Sequence, residues 1–469
     1  MRQEEKNKEC LADLRVTDPR GDKKRIEDTK RGLFPDSSNW ILEHENFQRW
    51  YNNDEARLLW IKGDPGKGKI MLLIAIIDEL EKQLAHQGPS AALSYFFCKG
   101  TNKNLNNAAA VLKGLVYLLG DKYPSLVSHL RKRYDNGRSK LFKDANAFFT
   151  LSEMLEDMLR DASLSRAYIV IDALDECGMD LPRLLKFIVQ SSSVSPRVKW
   201  IVSSRNRPDI EQQLKLDNSG MKLSLELTQN AEQVAHAVDA YINFKASKLW
   251  PLQDRNTLEE NILATRRDQV REVMRRKSNG TFLWAAFVFV ELQDVLVGEV
   301  LEVLEEIPSG LTELYDRMIE QIRHLKPRHR EYCYRVLSTA TLAYRPLHLL
   351  ELQVLAGFQD GTTYLADLMR IVKMCGSFLT IQVDYVYLIY QSVKDYLSDK
   401  ASSIIFPSGP TDVHHAIFSR SLETMSTLRR NIYGLHHFGP IGEVKTSKPD
   451  PLAAVRYSYV HWVDHFCQS

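Results

Sequence analysis

Two kinds of apolar spacing divide this chain. Up to about residue 229, short apolar runs alternate with stretches whose apolar residues recur every three or four positions. The runs cover 58–61, 92–97, 168–171, 198–204 and 222–227, lengths that suit buried strands. Between them, helical spacing marks 71–80, 108–119, 124–134, 145–159 and 181–189. Strands alternating with helices predict an α/β domain: a mostly parallel sheet flanked by helices. Beyond 229 the strand runs nearly vanish. Helical spacing covers 231–249, 268–277, 281–296, 310–323 and 328–342, with Pro308 as a break. A helix over 347–355 and a short hairpin, 378–381 with 386–390, suggest a winged-helix-like unit after an all-α region.

The ends read differently. Residues 1–31 are dense in both signs of charge and are expected to be a partly ordered lead-in. A helix follows, with Asp36-Ser37-Ser38 as cap and Trp40, Ile41, Leu42, Phe47 and Trp50 as its apolar face. The C-terminal stretch from 407 is expected to be helical, with loops rich in Pro and Gly. The expected domains are a lead-in (1–31), a helical lead-in (32–56), the P-loop domain (57–229), a helical domain (230–325), a winged-helix-like domain (326–400) and a helical segment (401–469). No internal repeat of roughly 20 to 50 residues is present.

Composition narrows the class. With 469 residues, 44% apolar and 26% charged, the chain is expected to be a globular protein of several domains. A net charge of +2 gives no case for nucleic acid or a polybasic membrane anchor. The six cysteines are scattered, which fits reduced thiols inside a cell. The longest apolar run, Phe282 to Val290, is too short to span a bilayer.

The first chemical motif follows the first strand: Lys62-Gly63-Asp64-Pro65-Gly66-Lys67-Gly68-Lys69-Ile70. Strand, glycine loop, lysine and helix make the phosphate-binding P-loop arrangement. Glycines let backbone N–H groups turn inward around phosphate oxygens. The helix N-terminus adds partial positive charge, and Lys69 supplies a mobile cation for the β- and γ-phosphates. Gly63, Asp64, Pro65, Gly66, Lys67, Gly68, Lys69 and Ile70 are thus the cofactor-binding candidates. The pattern asks for Ser or Thr after the lysine, as a Mg²⁺ ligand. Ile70 has no hydroxyl to offer.

The second motif is Ile169-Val170-Ile171-Asp172-Ala173-Leu174-Asp175-Glu176, an apolar strand ending in acid, the Walker B pattern. Its strand is expected beside the P-loop strand, with Asp172 holding Mg²⁺ through water. Either Asp175 or Glu176 would orient or deprotonate the attacking water. The third is Trp200-Ile201-Val202-Ser203-Ser204-Arg205, where Arg205 is placed to sense a γ-phosphate or neutralise transition-state charge.

Together these residues resemble the NACHT class of the STAND P-loop NTPases, in particular the fungal heterokaryon-incompatibility NACHT proteins and fungal NOD-like receptors. Further carrying segments are Asp18-Pro19-Arg20, Asp22-Lys23-Lys24-Arg25-Ile26-Glu27, Thr281-Phe282-Leu283-Trp284 and Cys375-Gly376-Ser377-Phe378-Leu379. The resemblance covers nearly the whole chain. It implies a cytoplasmic switch that ADP locks closed and that ATP exchange opens for self-association. Effector and sensor partners are not specified, and this chain would be the central module alone. Two positions depart from the family. Ile70 replaces the Walker A Thr, which implies a weakened Mg²⁺ site and at most slow ATP hydrolysis. Tyr390, in Ile389-Tyr390-Gln391-Ser392-Val393-Lys394-Asp395, stands where the family has a histidine that contacts ADP phosphate. Two other readings fit the same residues: an active ATPase with a compensated metal site, or a scaffold that no longer binds nucleotide.

The histidines carry less. His461 and His465, four apart with Asp464 and Cys467 nearby, lack a second ligand cluster and read as a plain helix face. His414-His415 and His436-His437 read as loop or surface pairs. The run 282–290 reads as a core helix.

Overall fold

The computed structural model describes residues 2–29, 38–87, 90–214, 222–250, 257–358, 364–429, 432, 450 and 452–469. The expected cap residues Asp36 and Ser37 and the His436-His437 pair lie outside them. The chain divides into two compact units, Met1–Leu311 and Thr312–Ser469.

The first unit is built on five parallel strands: β1 (Leu58–Lys62), β2 (Ala91–Phe97), β3 (Arg166–Asp172), β4 (Val198–Ser204) and β5 (Lys222–Glu226). Their order across the sheet is β2-β3-β4-β1-β5. The acid-ending strand β3 is therefore not beside the P-loop strand, as its motif led us to expect. β4 lies between them, paired to β1 by Trp60 opposite Val202 and to β3 by Ile171 opposite Val202. Local patterning sets where a strand is, while its neighbours depend on which face each connecting helix crosses.

Both faces of this sheet are covered, which is why its strands read as apolar runs. Leu58, Trp60, Phe96, Ile169, Ile171, Trp200 and Val202 pack with the helices Ala108–Lys122, Ala147–Leu159 and Leu181–Val194. The alternate residues Leu59, Ile61, Tyr95, Phe97, Val170 and Ile201 pack with the helix Lys69–Gln87 and with Ile41, Phe47 and Trp50. The expected helix over those last residues is two helices, Trp40–Glu43 and Glu45–Asn52. They break at His44, whose Nδ1 accepts from the Asn46 N–H at 3.1 Å.

The charged lead-in is more ordered than its composition suggests. Helices cover Arg2–Leu14 and Pro19–Thr29. Cys10 and Leu14, four apart on one helix face, are fully buried in the core. Lys23 joins the second helix to Asp78 at 2.5 Å. A few apolar residues in register are enough when the charges on the other faces find partners.

Helices complete the first unit: Ala231–Ser247, Thr257–Ser278, Phe282–Glu291 and the unanticipated Val300–Glu306. The apolar helix Phe282–Glu291 buries Leu283, Trp284, Phe287, Val288 and Phe289, as a core helix should.

The second unit has the helices Leu311–Arg323 and Pro327–Leu342 ahead of a small antiparallel sheet. Its strands are β6 (Leu347–His348), β7 (Leu379–Gln382) and β8 (Tyr385–Leu388), in the order β6-β8-β7. The expected hairpin thus gains a third strand from residues read as the start of a helix, which begins at Leu349. Val383 and Asp384 make the hairpin turn with φ of 47° and 66°, and the Asp384 carbonyl accepts from the Leu349 N–H at 2.8 Å. Helices plus this three-stranded wing make a winged-helix-like unit.

Of the C-terminal histidines, His415 is exposed as expected, whereas His414 is half-buried and His461 and His465 are buried. His414 lies on the helix Pro410–Ser426, with its Nδ1 2.7 Å from Nδ1 of His465 on the helix Arg456–Phe466. His465 is fully buried and its Nε2 is 2.7 Å from the Tyr457 hydroxyl. A four-residue spacing looks the same on a core face as on a solvent face. Among the described residues, no group of three or more His, Cys, Asp or Glu is arranged to hold a metal, and no helix is long and apolar enough to cross a membrane.

Lys199, in the middle of β4, is fully buried. Its ammonium donates to the carbonyls of Trp50 (2.5 Å), Tyr51 (3.2 Å) and Asn53 (2.9 Å), capping the helix Glu45–Asn52. A buried cation is tolerated here because three acceptors surround it, and those carbonyls have no donor of similar strength without it. Replacing it, Lys199→Met, should therefore destabilise the first unit by about 2–4 kcal/mol, read from its denaturant midpoint; an unchanged midpoint would show the cap to be dispensable.

Candidate functional site

The register brings the chemistry of the sequence motifs to one edge of the sheet. β1, β3 and β4 run parallel and end there at Lys62, Asp172 and Ser204. Ligands of open α/β sheets bind at this carboxyl edge.

The loop leaving β1 turns at Gly66 and Gly68, with φ of 79° and 87°. Side chains are excluded there twice over, by conformation and by space. A Cβ on Gly66 would come within 2.8 Å of Leu283 Cβ, and one on Gly68 within 2.7 Å of the Phe282 ring. Backbone alone lines the turn, which then enters the helix Lys69–Gln87. The Lys69 ammonium donates back to the carbonyls of Gly63 (2.5 Å) and Asp64 (3.0 Å). Burial lowers its pKa, and the nearby carboxylates of Asp175 and Asp172 oppose that shift. A backbone-lined turn, a helix N-terminus and a buried ammonium form a donor set that fits a phosphate chain.

Two neighbours of Lys69 behave differently. Ile70 packs against the apolar cluster on the Leu59 and Ile61 face and brings no oxygen to the site. Lys67 turns away from Lys69, and its ammonium donates to the carbonyls of Asn279 and Gly280.

Asp172 is 5% exposed at the end of β3. The Ser203 hydroxyl donates to its Oδ1 at 2.6 Å and accepts from the Ala173 N–H at 2.9 Å. Ser203 thus orients the Asp172 carboxylate, whose hard oxygens are the donor type that a Mg²⁺ ion held otherwise by phosphate and water would take. Sequence reasoning passed over it, although two serines ending an apolar strand were a signal. Its neighbour Ser204 accepts from the Trp60 indole N–H at 2.9 Å.

Asp175 and Arg205, separate candidates in the sequence, meet. The Arg205 backbone N–H donates to Asp175 Oδ1 at 3.0 Å, and its Nε lies 3.1 Å from Oδ2. Arg207 adds a bond to the Asp175 carbonyl at 3.1 Å. Glu176 has a different setting. Its Oε2 accepts from the Gly100 N–H at 2.7 Å, in the loop after β2, another residue the motifs did not flag. Burial pushes the Glu176 carboxyl up to about 7, with Asp175 and Asp172 adding to the rise and the Gly100 N–H opposing it. A carboxyl held near 7 by burial is a candidate for a general base near neutral pH.

The raised Glu176 carboxyl has a consequence for stability. Between about pH 4.5 and 7 the native chain keeps a proton that the unfolded chain has released, so this group's contribution to stability falls as pH rises. Substituting Glu176→Gln should flatten that slope. The variant's thermal midpoint should exceed that of the unmodified chain near pH 7.5, and the difference should close near pH 5. Parallel midpoint curves for the two proteins would show that Glu176 titrates normally.

Residues 36–205 match the family described as Nephrocystin 3, N-terminal. The chain is 46% identical over 473 aligned positions to vegetative incompatibility protein HET-E-1 of Podospora anserina. That alignment takes in 97% of this chain, which spans about a third (34%) of the relative's length. Among solved structures, a Walker-type ATPase of Pyrococcus abyssi is 14% identical with a TM-score of 0.36, over 78% of this chain and 96% of that one. The Aeropyrum pernix ORC2 protein, in ADPNP and ADP complexes, is 13% identical with a TM-score of 0.34, over 78% and 94%. Scores that low bear on neither fold nor function.

Proposed function

This chain belongs to the NACHT-type P-loop proteins of the fungal heterokaryon-incompatibility class, and from that premise we propose that it is an ATP/ADP-dependent signalling switch whose hydrolysis is weak. The observation that carries the reading is the cradle of Gly66, Gly68 and Lys69 at the sheet edge that also holds Asp172 and Glu176. In this reading Lys69 leaves the loop carbonyls for phosphate oxygens, a stronger set of acceptors. Asp172, oriented by Ser203, would hold Mg²⁺ from the protein side, and the ion would supply charge neutralisation to the nucleotide phosphates. Glu176 receives the proton of the attacking water. Arg205 exchanges its Asp175 partner for the γ-phosphate and so distinguishes ATP from ADP.

Ile70 sets the balance between binding and turnover. A hydroxyl there would be a direct Mg²⁺ ligand, and water must stand in for it. Nucleotide binding is therefore retained more than hydrolysis, and Mg²⁺ adds little to ATP affinity. The cytoplasm is the proposed setting and self-association through this module the proposed output, to be followed by mass measurement with ATP and with ADP.

Binding and turnover measurements test the core of this reading. Lys69→Ala should weaken ADP binding roughly tenfold or more, about 1.4 kcal/mol per factor of ten; unchanged affinity would remove the phosphate site. Ile70→Thr should raise the ATPase rate and its Mg²⁺ dependence, and Glu176→Gln in that background should abolish the gain. A rate in the unmodified chain that Ile70→Thr leaves alone would refute the weakened metal site.

A further inference from the structure

The phosphate loop holds two lysines two residues apart, and they do opposite things. Lys69 turns inward to its own loop. Lys67, between the two left-handed glycines, reaches a segment more than two hundred residues further along the chain. Its ammonium donates to the carbonyls of Asn279 (2.9 Å) and Gly280 (3.0 Å) and to the Thr281 hydroxyl oxygen (3.3 Å). Those groups lie just past the helix Thr257–Ser278, where the chain turns out through Asn279 (φ 47°) and Gly280 (φ 62°). The C-terminal end of a helix carries partial negative charge and unpaired carbonyls, so an ammonium there is stabilising.

Two further contacts join the same segments. The Phe282 N–H donates to the Gly66 carbonyl at 3.0 Å. Leu283 and Thr281 fill the space beside Gly66, and the Phe282 ring that beside Gly68. The link continues outward. Lys277, in the last turn of the same helix, donates to the carbonyls of Leu304 (2.8 Å) and Ile307 (3.0 Å), at the end of the helix Val300–Glu306.

We propose that Lys67 is a positioning residue that fastens the phosphate loop to the 279–283 segment, so that occupancy of the loop is transmitted to the helices 257–278 and 300–306. The proposal rests on the phosphate-site reading above. A loop built on left-handed glycines has no side-chain packing of its own at the turn and takes its shape from what holds its outer side. Lys67 supplies that hold by charge, and the Phe282 N–H supplies it by direction. A phosphate in the loop draws the Lys67 charge inward, in competition with the Asn279 and Gly280 carbonyls, so the two ends cannot change independently.

Amide hydrogen exchange on the full chain, with and without ADP, tests this with the variants Lys67→Met and Lys67→Arg. Without nucleotide, Lys67→Met should speed exchange at 279–283 about tenfold, the loss expected for one or two charge-assisted bonds, and Lys67→Arg should restore it. With ADP, exchange at 279–283 and in the last turn of the helix Thr257–Ser278 should change in the unmodified chain and in Lys67→Arg, but not in Lys67→Met. Unchanged exchange in nucleotide-free Lys67→Met overturns the fastening. An ADP response that survives in Lys67→Met, or an unmodified chain that binds ADP without one, overturns the transmission. Failure of the unmodified chain to bind ADP defeats the phosphate-site reading, while the nucleotide-free comparison still decides the fastening.

Discussion

The pairing of β4 with β1 on one side and β3 on the other is the constraint on which the site depends. It sets Asp172, Ser203 and Ile61 in one row across three strands, so a serine hydroxyl meets the Asp172 carboxylate without any special loop. It also carries Arg205 out of the sheet beside the turn that follows Asp172, where the ion pair to Asp175 forms. A slip of one residue in β4 would point Ser203 away from Asp172, bury its polar group on the wrong side and turn Trp200 out of its core. The apolar alternation of Leu58 and Trp60 against Leu59 and Ile61 prevents such a slip, because each set fits a different face. Core packing and site geometry thus have one cause.

Lysine-to-carbonyl bonds recur through the first unit. Lys199 closes the helix Glu45–Asn52, Lys277 the helix Val300–Glu306, and Lys67 binds the turn that follows the helix Thr257–Ser278. In each case the ammonium comes from a distant part of the chain, so a local need of a helix end becomes a tertiary connection. An ammonium with three donors suits this better than a neutral side chain, since it meets several diverging carbonyls at once. Burial depresses the pKa of Lys199 and Lys67, so the acceptors around each ammonium have a desolvation cost to offset.

Much of this was legible in the residues. Strand positions were, because a strand covered on both faces must be apolar along its length; the run 198–204 coincides with β4. The placement of the glycine loop and Asp172 at the carboxyl edge of the sheet was, because the one follows and the other ends an apolar strand. Strand order was not, since nothing within a strand names its neighbour. Nor was the tie of Lys67 to Asn279, or of Glu176 to Gly100, because backbone acceptors and donors leave no mark in a sequence. The contact of His414 with the buried His465 escaped for a related reason, since helical spacing identifies a face but not its occupant. The docking of the lead-in was not legible either, since Cys10 and Leu14 are two apolar positions among many charges, and the partners of those charges, such as Asp78 for Lys23, lie far off in the sequence.

The hairpin turn of the second unit depends on residues outside the hairpin. A two-residue turn with positive φ at both positions favours Asn or Gly, and a branched side chain at the first is locally unfavourable. Val383 occupies that position and is 91% exposed, so no packing of its own compensates. The bond from the Leu349 N–H to the Asp384 carbonyl, and the flanking of β8 by both β6 and β7, hold the turn instead. The conformation of the turn is therefore not fixed by its own two residues, and the stability of the wing is coupled to that of the helix beginning at Leu349.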